Sequence, residues 1–276
     1  MPNWVKIQVI AEDFNKLKKY LVRRGKVDFN KLFPLPDDLK ISSGSDSYEY
    51  NLSADENIKN RYFNINILLK DILRPDMCQN EFIDRALESK DVLNEIEVVK
   101  NRPTLDARTA NTFLRGYYNY HKYGQADWYK YCLTMWGCKW NASETHIDKD
   151  KQIIEFETPW SIPERIFLEL AKHVNIRVLY ADEDIGSNCG LIDFYKSNTG
   201  EVSCQVVMDD SVELAQYVWG YEHPDVYDDN GNIITDEKDK RVIKATKALV
   251  DTAKRLSNAM TVEDLKDSVK CWNNRL

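Results

Sequence analysis

No apolar run in this sequence approaches the roughly 20 residues that a membrane-crossing helix needs. The opening "MPNWVKIQVIAEDF" has no basic region followed by an apolar stretch, so no signal peptide is expected. A cytoplasmic location is the expectation that follows. The six cysteines, at 78, 132, 138, 189, 204 and 271, include no CxxC pair. Cys132 and Cys138 are too far apart for a zinc knuckle, and no HxxxH accompanies them. In a cytosolic chain such thiols read as free and buried. GxGxxG, GxxxxGK[ST], HExxH and GxSxG are all missing. The usual signatures of dinucleotide, phosphate, zinc-peptidase and serine-hydrolase sites are therefore absent. "DDNGNIITDE" (228–237) has calcium-loop letters without calcium-loop spacing and reads as a solvated turn. No cofactor or metal is expected.

Basic charge is also scarce where it would matter. The net charge is −7, and between Glu201 and Lys240 eleven acids face two bases. That stretch alone carries −9, which leaves about +2 for the rest. Backbone binding to nucleic acid needs clustered Lys and Arg, so such a role is not favoured.

What is present is a globular composition: 276 residues, 43% hydrophobic, 11% aromatic and 30% charged. "WVKIQVIA" (4–11) alternates and reads as a strand. "EDFNKLKKYLVRRG" (12–25) puts Phe14, Leu17, Tyr20 and Leu21 on one helical face, with Gly25 as its stop. Residues 26–39 read as extended, but Pro34 and Pro36 keep them out of a central strand. Residues 40–54 form a Ser-rich loop, and 55 to about 131 are helical. The aromatic run 117–131 reads as a helix with buried rings. Strands are expected at 152–160 and 176–184, with a helix at 161–174 between them. Ser161 is its expected cap, and Pro163 lies near its first turn. A hairpin is expected over 189–210, around "SNTG". Helices return after it. With the helical block set aside, the order predicts an α+β fold: a ferredoxin-like split β-α-β sandwich with a helical insertion and a C-terminal helical extension. The expected division is a core at 1–40 and 130–208, an insertion at 41–129, and an acidic loop plus helices at 209–276.

The densest stretch is "MWGCKW" (135–140). Cys138 with His146 eight residues on is the one conceivable nucleophile pair, but nothing in the sequence supplies an orienting third group. Close packing is the plainer reading. Gly137 admits an approach that a Cβ would block, and the indoles supply area. If the stretch alternates as a strand, Trp136, Cys138 and Trp140 share one buried face.

Four segments carry a family resemblance: "MPNW" before a strand, "DFNKLFPLPDDL" (28–39), "MWGCKWNASE" with "FETPWSIPERIFLELAKHV" (135–144 and 156–174), and "CGLIDFYKSNTG" (189–200). They resemble the Api92-like family, proteins of phages and mobile elements that carry a YubB ferredoxin-like domain. The resemblance covers roughly 1–40 and 130–208. In that family many members have threonine at the position of Cys138, which weakens a catalytic role for this thiol. The resemblance implies an accessory protein of a phage or plasmid, working in the host cytoplasm. The expected function is non-enzymatic binding of a host protein, with inhibition of an antiviral defence component as the specific candidate. Its partner-binding residues are expected in the acidic loop: Asp225, Asp228, Asp229, Asp236 and Glu237. Trp136, Gly137, Cys138, Trp140, Trp160 and Pro163 are expected to be structural. Self-association is a further expectation, through the helix at 241–259. Two alternatives stand beside this reading: a nucleic-acid module using Lys139, Trp140 and Tyr195 on the sheet, and an unrecognised enzyme using Cys138.

Overall fold

The structure is a computed structural model, and it describes residues 2–48, 56–102, 104–184, 187–197, 199–209 and 212–220. The expected partner-binding residues Asp225, Asp228, Asp229, Asp236 and Glu237 lie outside the described residues, as does the helix expected at 241–259. By contacts the chain divides into two compact units, one of residues up to Phe33 and from Trp136 onward, the other of Pro34–Met135.

The first unit opens with β1 (Trp4–Ala11) and α1 (Phe14–Leu21). Asp13 caps α1, its carboxylate accepting from the backbone N–H groups of Asn15 and Lys16 at 3.0 Å each. The helix ends at Leu21, earlier than expected. Gly25 does not stop it but turns a small ribbon, β2 (Val22–Arg23) against β3 (Lys26–Val27). Arg24 and Gly25 both have positive φ, 52° and 78°, as a two-residue hairpin turn requires. The segment expected to run on extended instead forms two 3-10 turns, Phe29–Lys31 and Asp37–Leu39.

The second unit holds α2 (Glu56–Ile72), α3 (Gln79–Glu88), α4 (Lys90–Lys100), α5 (Ala107–Tyr123) and α6 (Trp128–Met135). Its core gathers Tyr48, Ile65, Leu69, Phe82, Ile96, Phe113 and Tyr117. Tyr48 stands edge-on to Tyr62, Phe113 and Tyr117 at 5.2–5.6 Å. Gly116 of α5 lets the helix touch the backbone of Tyr48, since a Cβ there would lie 2.7 Å from its nitrogen.

The first unit resumes with β4 (Ser143–Asp148), β5 (Ile153–Pro159), α7 (Glu164–Ala171), β6 (Ile176–Asp182), β7 (Cys189–Lys196), β8 (Val202–Asp209) and α8 (Val212–Trp219). The strands form one sheet in the order β4-β5-β1-β6-β7-β8, with every neighbour antiparallel. β5 and β6 flank β1 and run parallel to each other, joined by α7, which is a split β-α-β unit. The series β1-α1-β4-β5-α7-β6 with spatial order β6-β1-β5-β4 is the ferredoxin-like arrangement, and β7, β8 and α8 extend it. The fold is α+β, as the element order predicts.

Alternation along β1 sets the two faces. Val5, Ile7 and Val9 are fully buried on one side, in register with Phe156 and Ile154 of β5 and Val178 of β6. A chain of rings crosses this side: Phe194–Phe167 at 5.4 Å, Phe167–Phe156 at 6.4 Å, Phe156–Phe29 at 6.0 Å and Phe29–Trp136 at 5.8 Å. On the other side α8 covers Ile10, Leu179, Ala181, Cys189 and Leu191 with Leu214, Ala215 and Val218. Arg177 and Asp193 form a buried bidentate pair, both bonds 2.7 Å. No helix among the described residues is long and apolar enough to cross a membrane.

Candidate functional site

The stretch after α6 is a turn, not a strand, and this corrects the expectation that Trp136, Cys138 and Trp140 share one buried face. Gly137 takes φ +86°, and a Cβ on it would meet the amide nitrogen of Glu164 at 3.1 Å. The backbone there lies directly against the start of α7. Ser161 does not cap α7 either. Its hydroxyl donates to the Gly137 carbonyl at 2.9 Å, and buried Pro163 stands at the cap position. These contacts send successive tryptophans opposite ways. Trp136 is 3% exposed, its indole N–H donating to the Phe33 carbonyl at 2.9 Å. Cys138 is fully buried, and its thiol donates to the Trp140 carbonyl at 3.2 Å. Trp140 itself turns outward and is 38% exposed.

Trp140 is not alone at the surface. Its ring lies 5.9 Å from that of Trp160 and 6.3 Å from that of Trp4. Trp160 is 48% exposed. Three tryptophans, the first and last 156 positions apart in sequence (4 and 160), thus form one aromatic surface. Lys139 completes it: its ammonium sits 4.6 Å from the Trp140 centroid and 5.2 Å from that of Trp160. Both distances lie within the range of a cation–π contact.

The frame behind this surface is closely tied. Trp160 has φ +61°, a left-handed conformation that costs a bulky L-residue about 1–2 kcal/mol. Its N–H donates to the Asn3 carbonyl at 2.8 Å, and its carbonyl accepts from the Asn188 side chain at 3.2 Å. Asn188 is left-handed too, φ +46°. Buried Asp182 gathers the same ends, accepting from Asn3, Asn188 and the amide of Asp184 at 3.3, 3.2 and 2.9 Å. A residue held in a sparsely populated conformation by such over-determination is a pointer to function.

The electrostatics beside the cluster are acidic. Glu157 pairs with Lys6 of β1, two rungs along from the pairing of Trp4 with Pro159 and so on the same face of the sheet. The Glu183 amide donates to the Trp4 carbonyl at 2.9 Å. Burial pushes the Glu157 carboxyl above its usual range, the nearby charges of Glu144 and Glu183 add to this, and Lys6 opposes it. Three carboxylates therefore crowd the tryptophan end of the sheet.

Of the residues expected for nucleic acid, the structure brings Lys139 and Trp140 together and leaves Tyr195 apart. Tyr195 follows Phe194, which pairs with Ile176, whereas Trp4 bonds to Glu183. Seven residues of β6 at about 3.3 Å each put roughly 23 Å between the two ends. Trp160 and Trp140, expected to be structural, are the exposed centre of the surface. Trp4, which the sequence presents only as part of the "MPNW" motif and of the first strand, is not singled out by sequence reasoning as a member of this surface. Its place at a strand's first position gives no hint that Trp140 and Trp160 arrive beside it.

Cys132 and Cys189 are buried like Cys138, and burial pushes the Cys132 thiol up to about 12. Among the described residues no group of three or more His, Cys, Asp or Glu is placed to hold a metal ion. No curated protein and no solved structure matches this chain. Residues 139–219, which include Lys139, Trp140, Trp160 and all three carboxylates, match the family model described as the ferredoxin-like domain in Api92-like protein, the family that the sequence motifs resemble.

Proposed function

We propose that this is a non-enzymatic accessory protein of a phage or mobile element that binds a host protein, a component of antiviral defence being the target class, and that it does so through the Trp4–Trp140–Trp160 surface. The observation that carries the reading is a cluster of two exposed indoles, Trp140 and Trp160, with half-buried Trp4 against Trp140. Tryptophan is among the residues that dominate binding energy at protein interfaces, and contiguous exposed apolar surface marks interaction sites. The Api92-like resemblance supports the mobile-element setting. The crowding of Glu144, Glu157 and Glu183 beside the indoles favours a protein partner over nucleic acid, because phosphates would meet three carboxylates against two lysines, Lys6 and Lys139.

The test is affinity capture from host lysate with the wild-type chain and with Trp140→Ala/Trp160→Asn. A band captured by the first and lost by the second, with the second still folded by circular dichroism at the capture temperature, supports the reading. Equal capture by both refutes the surface. A gel shift with single- and double-stranded nucleic acid at two salt concentrations completes it: tight, salt-sensitive binding that Trp140→Ala abolishes would transfer the function to nucleic acid.

A further inference from the structure

We infer that the partner presents an arginine side chain, and that its guanidinium takes the place over Trp140 and Trp160 that Lys139 occupies in the free protein. This rests on the binding role proposed for the same surface. Three observations lead to it. First, one ammonium already stands over both rings, at 4.6 and 5.2 Å, so the faces of Trp140 and Trp160 converge on a position that accepts a cation. Second, that cation is half-buried Lys139, carried on a flexible four-carbon stem next to Trp140 in sequence, so the place over the rings is filled by a side chain with several rotamers and not by rigid backbone. Third, three carboxylates, Glu144, Glu157 and Glu183, stand at this end of the sheet against two lysines, Lys6 and Lys139, which leaves a net negative charge beside the rings. Arginine suits the place better than lysine does. Its planar guanidinium is less strongly hydrated, stacks on indoles, and leaves its edge N–H groups free for a bidentate bond to a carboxylate. Lys139 then acts as a built-in competitor, which occupies the cation position between the two exposed rings until a stronger cation arrives.

The probes are fluorescein-labelled (Gly-Ser-Arg)4, (Gly-Ser-Lys)4 and (Gly-Ser-Glu)4 peptides and a labelled dT12, read by anisotropy on the full chain. The expected order is arginine peptide tightest, lysine peptide several-fold weaker, acidic peptide and dT12 without saturable binding. Trp140→Ala should weaken the arginine peptide about tenfold or more. Lys139→Gln should tighten it about threefold or more, because the internal competitor is gone. Lys149→Gln removes the same charge from an exposed turn residue on the same unit and controls for net charge. A gain with Lys139→Gln well above that with Lys149→Gln supports displacement. Equal gains, or weaker binding with Lys139→Gln, overturn it. So does arginine-peptide binding that Trp140→Ala leaves unchanged. If lysate capture is lost in the tryptophan variants while the arginine peptide ignores them, the binding role stands and the arginine inference falls.

Discussion

Truncating the two tryptophans that flank Gly137 should have opposite consequences. Trp136→Ala removes a side chain that is 3% exposed, stacked edge-on against Phe29 and bonded to the Phe33 carbonyl. An indole buries about 200 Å², and at about 25 cal/mol per Å² the transfer term is about 5 kcal/mol, an upper bound because the unfolded chain also buries surface. The vacated space is enclosed and the Phe33 carbonyl loses its donor, so the observed cost should stay near the top of the ~3–5 kcal/mol range for such truncations. Trp140 is 38% exposed, which leaves 62% of its area to lose. The same arithmetic gives about 3 kcal/mol as a ceiling, and with water free to fill the site no cavity term is added, so about 2 kcal/mol is expected. Urea unfolding of both variants, followed by far-ultraviolet circular dichroism, measures the difference. Capture or peptide binding measured on the same samples should be lost in Trp140→Ala, and retained in the folded fraction of Trp136→Ala. A Trp140→Ala cost equal to or above that of Trp136→Ala would refute the assignment of one indole to the core and the other to the surface.

Three further outcomes follow from the same geometry. Gly116→Ala gains about 1 kcal/mol of helix propensity but drives a Cβ to 2.7 Å from the Tyr48 nitrogen, an overpacking cost of about 1–3 kcal/mol, so urea titration should show net destabilisation; a net gain would mean that the helix shifts freely. Arg177→Met leaves Asp193 buried without its partner and should cost about 3–5 kcal/mol, whereas Arg177→Met/Asp193→Leu should recover most of the loss in thermal melting; equal damage from both would show that packing, not charge, sets the cost. Glu157 has its folded-state pKa raised, so the folded protein binds this proton more tightly than the unfolded chain. Stability from this group is present below the ordinary carboxyl value and is lost as pH rises through the folded value. Glu157→Gln should therefore stabilise the protein at neutral pH and lose that advantage as pH falls towards the ordinary carboxyl range, and a pH-independent difference would refute the cause.

Much of the architecture was legible because binary pattern and sheet position agree. β1, β5 and β6 each pair on both sides, and their alternation or apolar run is strong in sequence for that reason. β4 was not legible as a strand. It is an edge, "SETHID", half polar on both faces, and nothing in its composition separates it from a loop. The two prolines at 34 and 36 gave a correct exclusion, since no strand passes through them. They could not announce the 3-10 turns, because such turns follow from local bonding rather than from periodicity.

The candidate site was legible in its residues and illegible in its orientation, and one dihedral explains why. Apolar patterning treats Trp136 and Trp140 alike, and a strand would put both on one side, since four residues is two full periods. Gly137 in the left-handed region breaks the period, so the second indole emerges where the first is buried. At Trp160 and Asn188 even the glycine clue is missing, because tryptophan and asparagine carry the left-handed turn themselves. Their bonds to Asn3 and Asp182, more than 150 residues away for the first and across a strand end for the second, hold those conformations in place. A surface assembled from residues 4, 139, 140 and 160 exists only when β1 lies between β5 and β6. The ferredoxin-like topology is therefore the condition for this site: Trp4 reaches Trp140 because the first strand of the chain enters the middle of a sheet whose other strands come more than 130 residues later.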